Sequence, residues 1–198
     1  MASQATNARL DRREIVEKLL EKRDDLLVVT GLGSSAYDVA AVGDSHRNFY
    51  LWGAMGGAAM VGLGLAVARP DQHVAVITGD GEQLMGMGAL ATIAARKQKN
   101  LTVVVLDNQH YGETGMQASH TGLGVDLVGV AKACGFNWTM RVEDESGLPD
   151  LIAKLKSGEG PGFASVLIEA KPYPRALPPR DGVEVKNRFR RELGLETI

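Results

Sequence analysis

His73-Val74-Ala75-Val76-Ile77-Thr78-Gly79-Asp80-Gly81 and Leu101-Thr102-Val103-Val104-Val105-Leu106-Asp107-Asn108-Gln109-His110 are two short β-branched runs, each ending in oxygen-bearing side chains and turn residues. Runs of this length and composition read as strands buried on both faces. Leu84 to Lys97, between them, places Leu84, Met87, Leu90, Ala91 and Ala94 on one helical face, so the unit is strand, helix, strand. A right-handed crossover then brings both strand ends to one edge of a parallel sheet, where ligands bind in open α/β folds.

Asp80 and Asn108 would therefore converge on one ion. Magnesium takes near-octahedral oxygen coordination, with one or two protein side chains and phosphate oxygens or water completing the shell. Asp80 supplies charge, Asn108 a neutral oxygen, and a main-chain carbonyl near His110 a third protein ligand. Gly81 permits close backbone approach, and the N–H groups opening the helix would face an anion. Taken separately, Asp80-Gly81 is equally a plain turn and Asp107-Asn108 a helix cap; the joint spacing favours a magnesium diphosphate site.

The stretch from Gly79-Asp80-Gly81 to Asp107-Asn108 resembles the GDG…NN signature of thiamin diphosphate enzymes, with Asp107 in place of the usual first Asn. The resemblance implies that Asp80, Asn108 and the His110 carbonyl hold Mg2+. It implies further that Gly79, Gly81 and Glu82 serve the diphosphate, Gly81 and Glu82 through backbone donors, with Tyr111 and Gly112 close to the cofactor. Trp52-Gly53-Ala54-Met55-Gly56-Gly57 is similar to the GAMG segment of acetolactate synthases and of phosphonopyruvate or sulfopyruvate decarboxylases, and Met55 precedes Asp80 by 25 residues, as suits that family. By that match the Gly53 carbonyl accepts from the cofactor's 4′-amino group and Met55 supports the bend between its rings. An unbranched thioether suits such an irregular apolar contact. The loop Gly31-Leu32-Gly33-Ser34-Ser35 is by itself as compatible with a plain turn as with an anion site; the resemblance assigns Gly31, Ser34 and Ser35 to the cofactor.

The bulk of the chain agrees with one α/β domain. With 198 residues, 44% hydrophobic, it can bury one sizeable core. A formal charge of −2 leaves no electrostatic footprint for nucleic acid. Cys134 is the only cysteine, and the four histidines show no metal-ligand spacing. Leu51 to Ala68 is 18 residues without a charge, yet it holds five glycines and leads into a strand. It is expected to be a buried helix packed through small residues, and Met1 to Arg13 is too polar for a signal peptide, so a cytoplasmic protein is expected.

The expected fold is a single doubly wound α/β domain, a mostly parallel sheet flanked by helices. Residues 1–9 form a weakly ordered start, 10–170 the thiamin diphosphate-binding domain, and 171–198 an extended, proline-rich segment and a helix. Further helices are expected at Asp11–Glu21, Asp126–Cys134, Gly147–Lys156 and Val183–Leu193, and strands at Leu26–Thr30 and Ala164–Glu169. Gln109 to Gln117 is expected to be a flexible lid, and Arg188 to Glu192 a solvated face or an intersubunit contact.

In the family, a glutamate on a separate domain activates the cofactor. What this chain resembles is the diphosphate-binding domain alone, so the Glu is expected on a separate pyrimidine-binding α subunit, in an α/β hetero-oligomer. The resemblance implies decarboxylation of a 2-oxo acid, as in sulfopyruvate or phosphonopyruvate decarboxylases. An acetolactate synthase-like carboligase half and a noncatalytic scaffold are the alternatives; a ferredoxin-linked oxidoreductase is disfavoured without cluster-ligating cysteines. Glu113, His110 and His120 are the candidates on this chain for touching substrate. A sulfonate or phosphonate substrate calls for cations, and the loop around Glu113 and Gln117 offers none beyond the histidines.

Overall fold

A computed structural model describes residues 9–198; the expectation for Met1 to Arg9 lies, except for Arg9, outside them. In chain order the elements are α1 (Arg12–Leu20), β1 (Leu27–Thr30), α2 (Ser34–Ala41), β2 (Asn48–Tyr50), α3 (Ala58–Ala68), β3 (Val74–Gly79), α4 (Asp80–Met85) and α5 (Ala89–Arg96). They continue with β4 (Leu101–Asp107), β5 (His110–Tyr111), β6 (Gln117–Ala118), α6 (Leu127–Cys134), β7 (Trp138–Val142), α7 (Leu148–Leu155), β8 (Gly162–Leu167) and α8 (Gly182–Glu192). Six strands pair in parallel in the order β2-β1-β3-β4-β8-β7, and β5 and β6 form a small antiparallel hairpin. This is the doubly wound α/β architecture expected.

Alternate residues of each strand feed opposite faces, as the two-residue strand period requires. Val28, Ala75, Ile77, Val104, Leu106 and Val166 pack under α1, α2 and α7. Leu27, Val29, Val76, Val103, Val105 and Phe163 pack under α3, α5 and α6. The chain leaves β1 towards β2 on one side and returns to β3 on the other, so the loops after β1 and β3 diverge at a switch point of the sheet.

The single helix expected over 84–97 is two helices. The break at Gly86-Met87-Gly88 lets the backbone of Gly86 touch that of Gly56: a Cβ on Gly86 would lie 2.2 Å from the Gly56 carbonyl oxygen. The crossing braces the Met55 loop and shifts the helical phase. Ala89, Leu90, Ile93 and Ala94 are buried, while Met87 and Ala91 are exposed. The two edge strands β2 and β7 escape the sequence reading; β2 has three residues and β7 is mostly half-buried, so neither shows a continuous apolar run. The stretch expected as a lid holds the β5–β6 hairpin, and no helix among the described residues is long and apolar enough to cross a membrane. Residues 51–68 divide into an irregular segment and α3.

The solvated face expected at Arg188 to Glu192 holds for Arg191 and Glu192, which are exposed, and is corrected for Arg188 and Phe189. Arg188 and Phe189 are both 6% exposed. Phe189 meets Phe49 edge-on at 5.6 Å between ring centres. Arg188 forks onto Asp44 with bonds of 2.6 and 2.9 Å, and Tyr50 donates to the same carboxylate at 2.9 Å. Burial by itself would raise Asp44, but the bonds from Arg188 and Tyr50 outweigh it and hold the carboxyl below its usual range. A depressed carboxylate stabilises the fold above its unfolded pKa, and that contribution disappears as pH falls through the folded value. Asp44→Ala is expected to cost about 2 kcal/mol in urea unfolding at neutral pH, less than a fully buried pair because Asp44 is partly exposed, and to cost little once acid has protonated the wild-type residue.

Candidate functional site

Gly79 pairs with Leu106 in the β3–β4 ladder, so Asp80 stands level with Asp107 and Asn108 lies one residue beyond. Asp80 and Asn108 line one cavity at this sheet edge, together with Ser34 and Ser35 at the start of α2, Met55, and the Gly79 to Glu82 and His110 to Thr114 segments. The positions expected to contact cofactor and found on this wall are Ser34, Ser35, Met55, Gly79, Asp80, Gly81, Glu82, Asn108, His110, Tyr111 and Gly112.

Asp80 is 2% exposed. Ser119 donates to its Oδ2, Thr121 donates to the same oxygen at 3.1 Å, and neither hydroxyl uses Oδ1. Thr121 also lies 2.8 Å from Asp107 Oδ1, and Ser165 donates to Asp107 Oδ2 at 3.3 Å. Burial, with the Asp107 charge adding to it, pushes Asp80 above the ordinary carboxylate range. Two buried carboxylates bridged by one hydroxyl suit a site completed by a cation.

Gln109 turns the chain in the left-handed region, φ 63°. The turn is closed by the His110 N–H donating to Asn108 Oδ1 at 2.9 Å. An amide oxygen has two lone pairs, so one remains for a metal. His110 Nδ1 donates to the Asn108 carbonyl at 2.8 Å, since a carbonyl only accepts.

The donor set fits Mg2+ and a diphosphate. No group of three or more His, Cys, Asp or Glu side chains gathers among the described residues, so an ion here would draw on one carboxylate, an amide, a carbonyl and ligand oxygens, the pattern of a hard cation. Gly81 and Glu82 lie in the first turn of α4, where backbone N–H groups have no intrahelical partner. Ser35 Oγ is buried on the cavity wall without a partner among the described residues.

Three expected positions stand elsewhere. Gly31 is off the wall: its N–H donates to Ile77 at 3.1 Å, and a Cβ there would lie 1.6 Å from Glu82 Oε2. Its role is to make room for that carboxylate. Gly53 is exposed and does not line the cavity. His120 is exposed and packs edge-on to Tyr111 at 6.3 Å, away from the wall. Glu113 lines the cavity and pairs with Arg175 at 3.0 Å.

The Glu82 side chain does something the sequence reading missed. It is 5% exposed and accepts from Leu32 N–H at 2.8 Å and Ala58 N–H at 3.4 Å, tying the loop after β1 to the start of α3. Burial pushes its carboxyl up. Ser119 and Thr121 were also missed; a Ser-His-Thr triplet in a polar loop carries no local signal of that role. Thr121→Val is expected to weaken Mg2+-dependent cofactor binding by about 10–100-fold in calorimetry, because a group that orients a ligand carboxylate matters nearly as much as the ligand.

Residues 31–166 match the family described as thiamine pyrophosphate enzyme, C-terminal TPP binding domain. The chain is 35% identical over 184 residues to sulfopyruvate decarboxylase subunit beta of Methanothermobacter thermautotrophicus, spanning 93% of this chain and 96% of that one. It is 36% identical over 189 residues to phosphonopyruvate decarboxylase of Streptomyces viridochromogenes, spanning 92% of this chain and 46% of that one. Benzoylformate decarboxylase of Polynucleobacter necessarius superposes with a TM-score of 0.70 at 21% identity, over 83% of this chain and 34% of that one, a likeness of fold alone.

Proposed function

The chain belongs to the thiamine pyrophosphate enzymes, and from that premise we propose that it is the β-type subunit of a thiamin diphosphate- and Mg2+-dependent decarboxylase acting on a 2-oxo acid of the sulfopyruvate or phosphonopyruvate kind. One observation carries the reading beyond family membership: buried Asp80, held by Ser119 and Thr121, stands at the end of β3 beside Asn108 at the end of β4, on a single cavity. Its near end-to-end match to a decarboxylase β subunit supports the subunit reading over a carboligase half or a scaffold.

When bound, the cofactor supplies the electron sink for loss of carbon dioxide. Asp80 and Asn108, with the His110 carbonyl, would hold Mg2+; the Gly81 and Glu82 N–H groups and the Ser34 and Ser35 hydroxyls would serve the diphosphate. Met55 lies against Gly81, its Cε 3.8 Å from where a Cβ would stand there, and would support the bend of the bound cofactor. A Cβ on Gly81 would also meet the Tyr111 ring at 2.9 Å, so Gly81 lets that ring close the wall. The carbonyl of exposed Gly53 would accept from the cofactor's 4′-amino group, and a pyrimidine-binding α subunit would contribute the activating Glu.

Purified chain, partner subunit and the two together are assayed for carbon dioxide release from sulfopyruvate and phosphonopyruvate with thiamin diphosphate and Mg2+. Turnover is expected only in the mixture. Full activity of this chain alone would remove the split-site assignment, and inactivity of the assembled pair towards every 2-oxo acid would remove the decarboxylase reading.

A further inference from the structure

The cations that the loop after Asn108 lacks arrive from both ends of the chain. Ile168 bridges Leu10, and Glu169 N–H donates to the Leu10 carbonyl at 2.9 Å, so the segment after β8 runs beside the start of α1. There Tyr173 gathers three cations about its ring: Arg13 at 4.7 Å, Arg12 at 5.0 Å and Lys171 at 5.1 Å from the ring centre. Arg175 reaches Glu113 at 3.0 Å. A second cavity opens among Arg12, Lys171, Tyr173 and Arg175. Its wall shares Arg12, Ser34, Asn108, Gly112 and Glu113 with the cofactor cavity, so the two are contiguous.

The charges there are incompletely matched. Asp38 serves both Arg12, at 3.3 Å, and Arg13, at 3.2 Å. Lys171 has Asp11 at 3.7 Å, and Arg175 has Glu113, so three carboxylates face four cations. Arg12 is 6% exposed, and among the described residues its terminal nitrogens make no hydrogen bond. The Arg175–Glu113 pair is exposed, and exposed pairs exchange partners at little cost. Forked guanidiniums with an ammonium are suited to a compact anion with several oxygens.

We propose that this basic cavity, with Arg12, Lys171 and Arg175, is the subsite for the second anionic group of the 2-oxo acid, a tetrahedral sulfonate or phosphonate, while the oxo-acid end occupies the cofactor cavity. The inference rests on the decarboxylase reading and names the residues that select its substrate. Arg175 stands between the incoming oxyanion and Glu113 and cancels their repulsion; Arg12 caps the shared wall.

The test uses the assembled enzyme with thiamin diphosphate and Mg2+, as wild type, Lys171→Ala, Arg175→Ala and the conservative Arg175→Lys. The ratio of kcat/KM for sulfopyruvate or phosphonopyruvate to that for pyruvate is expected to fall at least tenfold in each alanine variant, through substrate KM, and to recover partly in Arg175→Lys. The unreactive dianions sulfoacetate and phosphonoacetate, titrated calorimetrically, read the same subsite without turnover and show which oxyanion it prefers. Binding of either by wild type, weakened at least tenfold by the alanine variants, upholds the subsite even if no 2-oxo acid is turned over and the parent reading falls. An unchanged ratio with unchanged dianion binding overturns it, as does a loss that lies in thiamin diphosphate affinity, which would give these cations to the diphosphate.

Discussion

Asp80→Asn is expected to reduce the affinity of the assembled enzyme for magnesium thiamin diphosphate by at least about 100-fold and to abolish decarboxylation at ordinary cofactor concentrations. The amide keeps the shape of the side chain and can still accept from Ser119 and Thr121. What it removes is the negative charge that a hard dication requires. The effect on the unliganded chain should have the opposite sign. Burial first, and then Asp107, raise the Asp80 pKa, so ionised Asp80 lowers stability at every pH above its folded pKa, and that cost vanishes below its unfolded pKa. A neutral amide never bears the cost. The unliganded variant should therefore melt higher near neutral pH, by roughly 2–4 °C for each kcal/mol released, with the difference closing in acid. Tight cofactor binding by the variant would remove Asp80 from the metal site; an unchanged or lower Tm would show that the carboxylate is better solvated than its burial implies.

Gly31→Ala is expected to be strongly damaging for so small a substitution, costing about 3 kcal/mol or more in chemical unfolding. The new Cβ would fall 1.6 Å from Glu82 Oε2 and 2.8 Å from Thr78 Oγ1. Glu82 would have to leave, stranding the N–H groups of Leu32 and Ala58, and buried donors left unpaired cost about 1–3 kcal/mol each. Glu82→Ala strands the same donors but opens the space. Gly31→Ala should then add little in the double variant, giving a coupling close to its whole single loss, about 3 kcal/mol. Additive losses would show that Gly31 and Glu82 act independently.

The two predictions differ in how far the sequence anticipates them. Asp80 stands out because it ends a buried strand, lies one crossover from a second strand ending in Asn108, and bears a charge that a buried strand end does not otherwise keep. Glu82 does not stand out, since nothing local distinguishes a glutamate presenting its N–H from one folding its carboxylate back against Gly31. Arg12 and Arg188 were equally hidden. Charged residues in amphipathic helices read as solvated faces, and only their partners Asp38 and Asp44 make burial tolerable. The break in the 84–97 helix was written in Gly86-Met87-Gly88, yet glycine in a helical pattern marks a break only when another backbone comes against it, here Gly56.

Residue order alone dictates the parallel α/β sheet and the pair of oxygen-bearing strand ends, because strand burial and helix amphipathicity are periodic over a few residues and the βαβ handedness leaves one arrangement. Only the folded chain settles which hydroxyls hold Asp80, where Glu82 turns, and that Lys171 and Arg175 lie beside Arg12. Those residues lie 24 to 163 positions apart in the chain, and no short-range period encodes a meeting over that distance; it follows from how the two layers of helices close over the sheet.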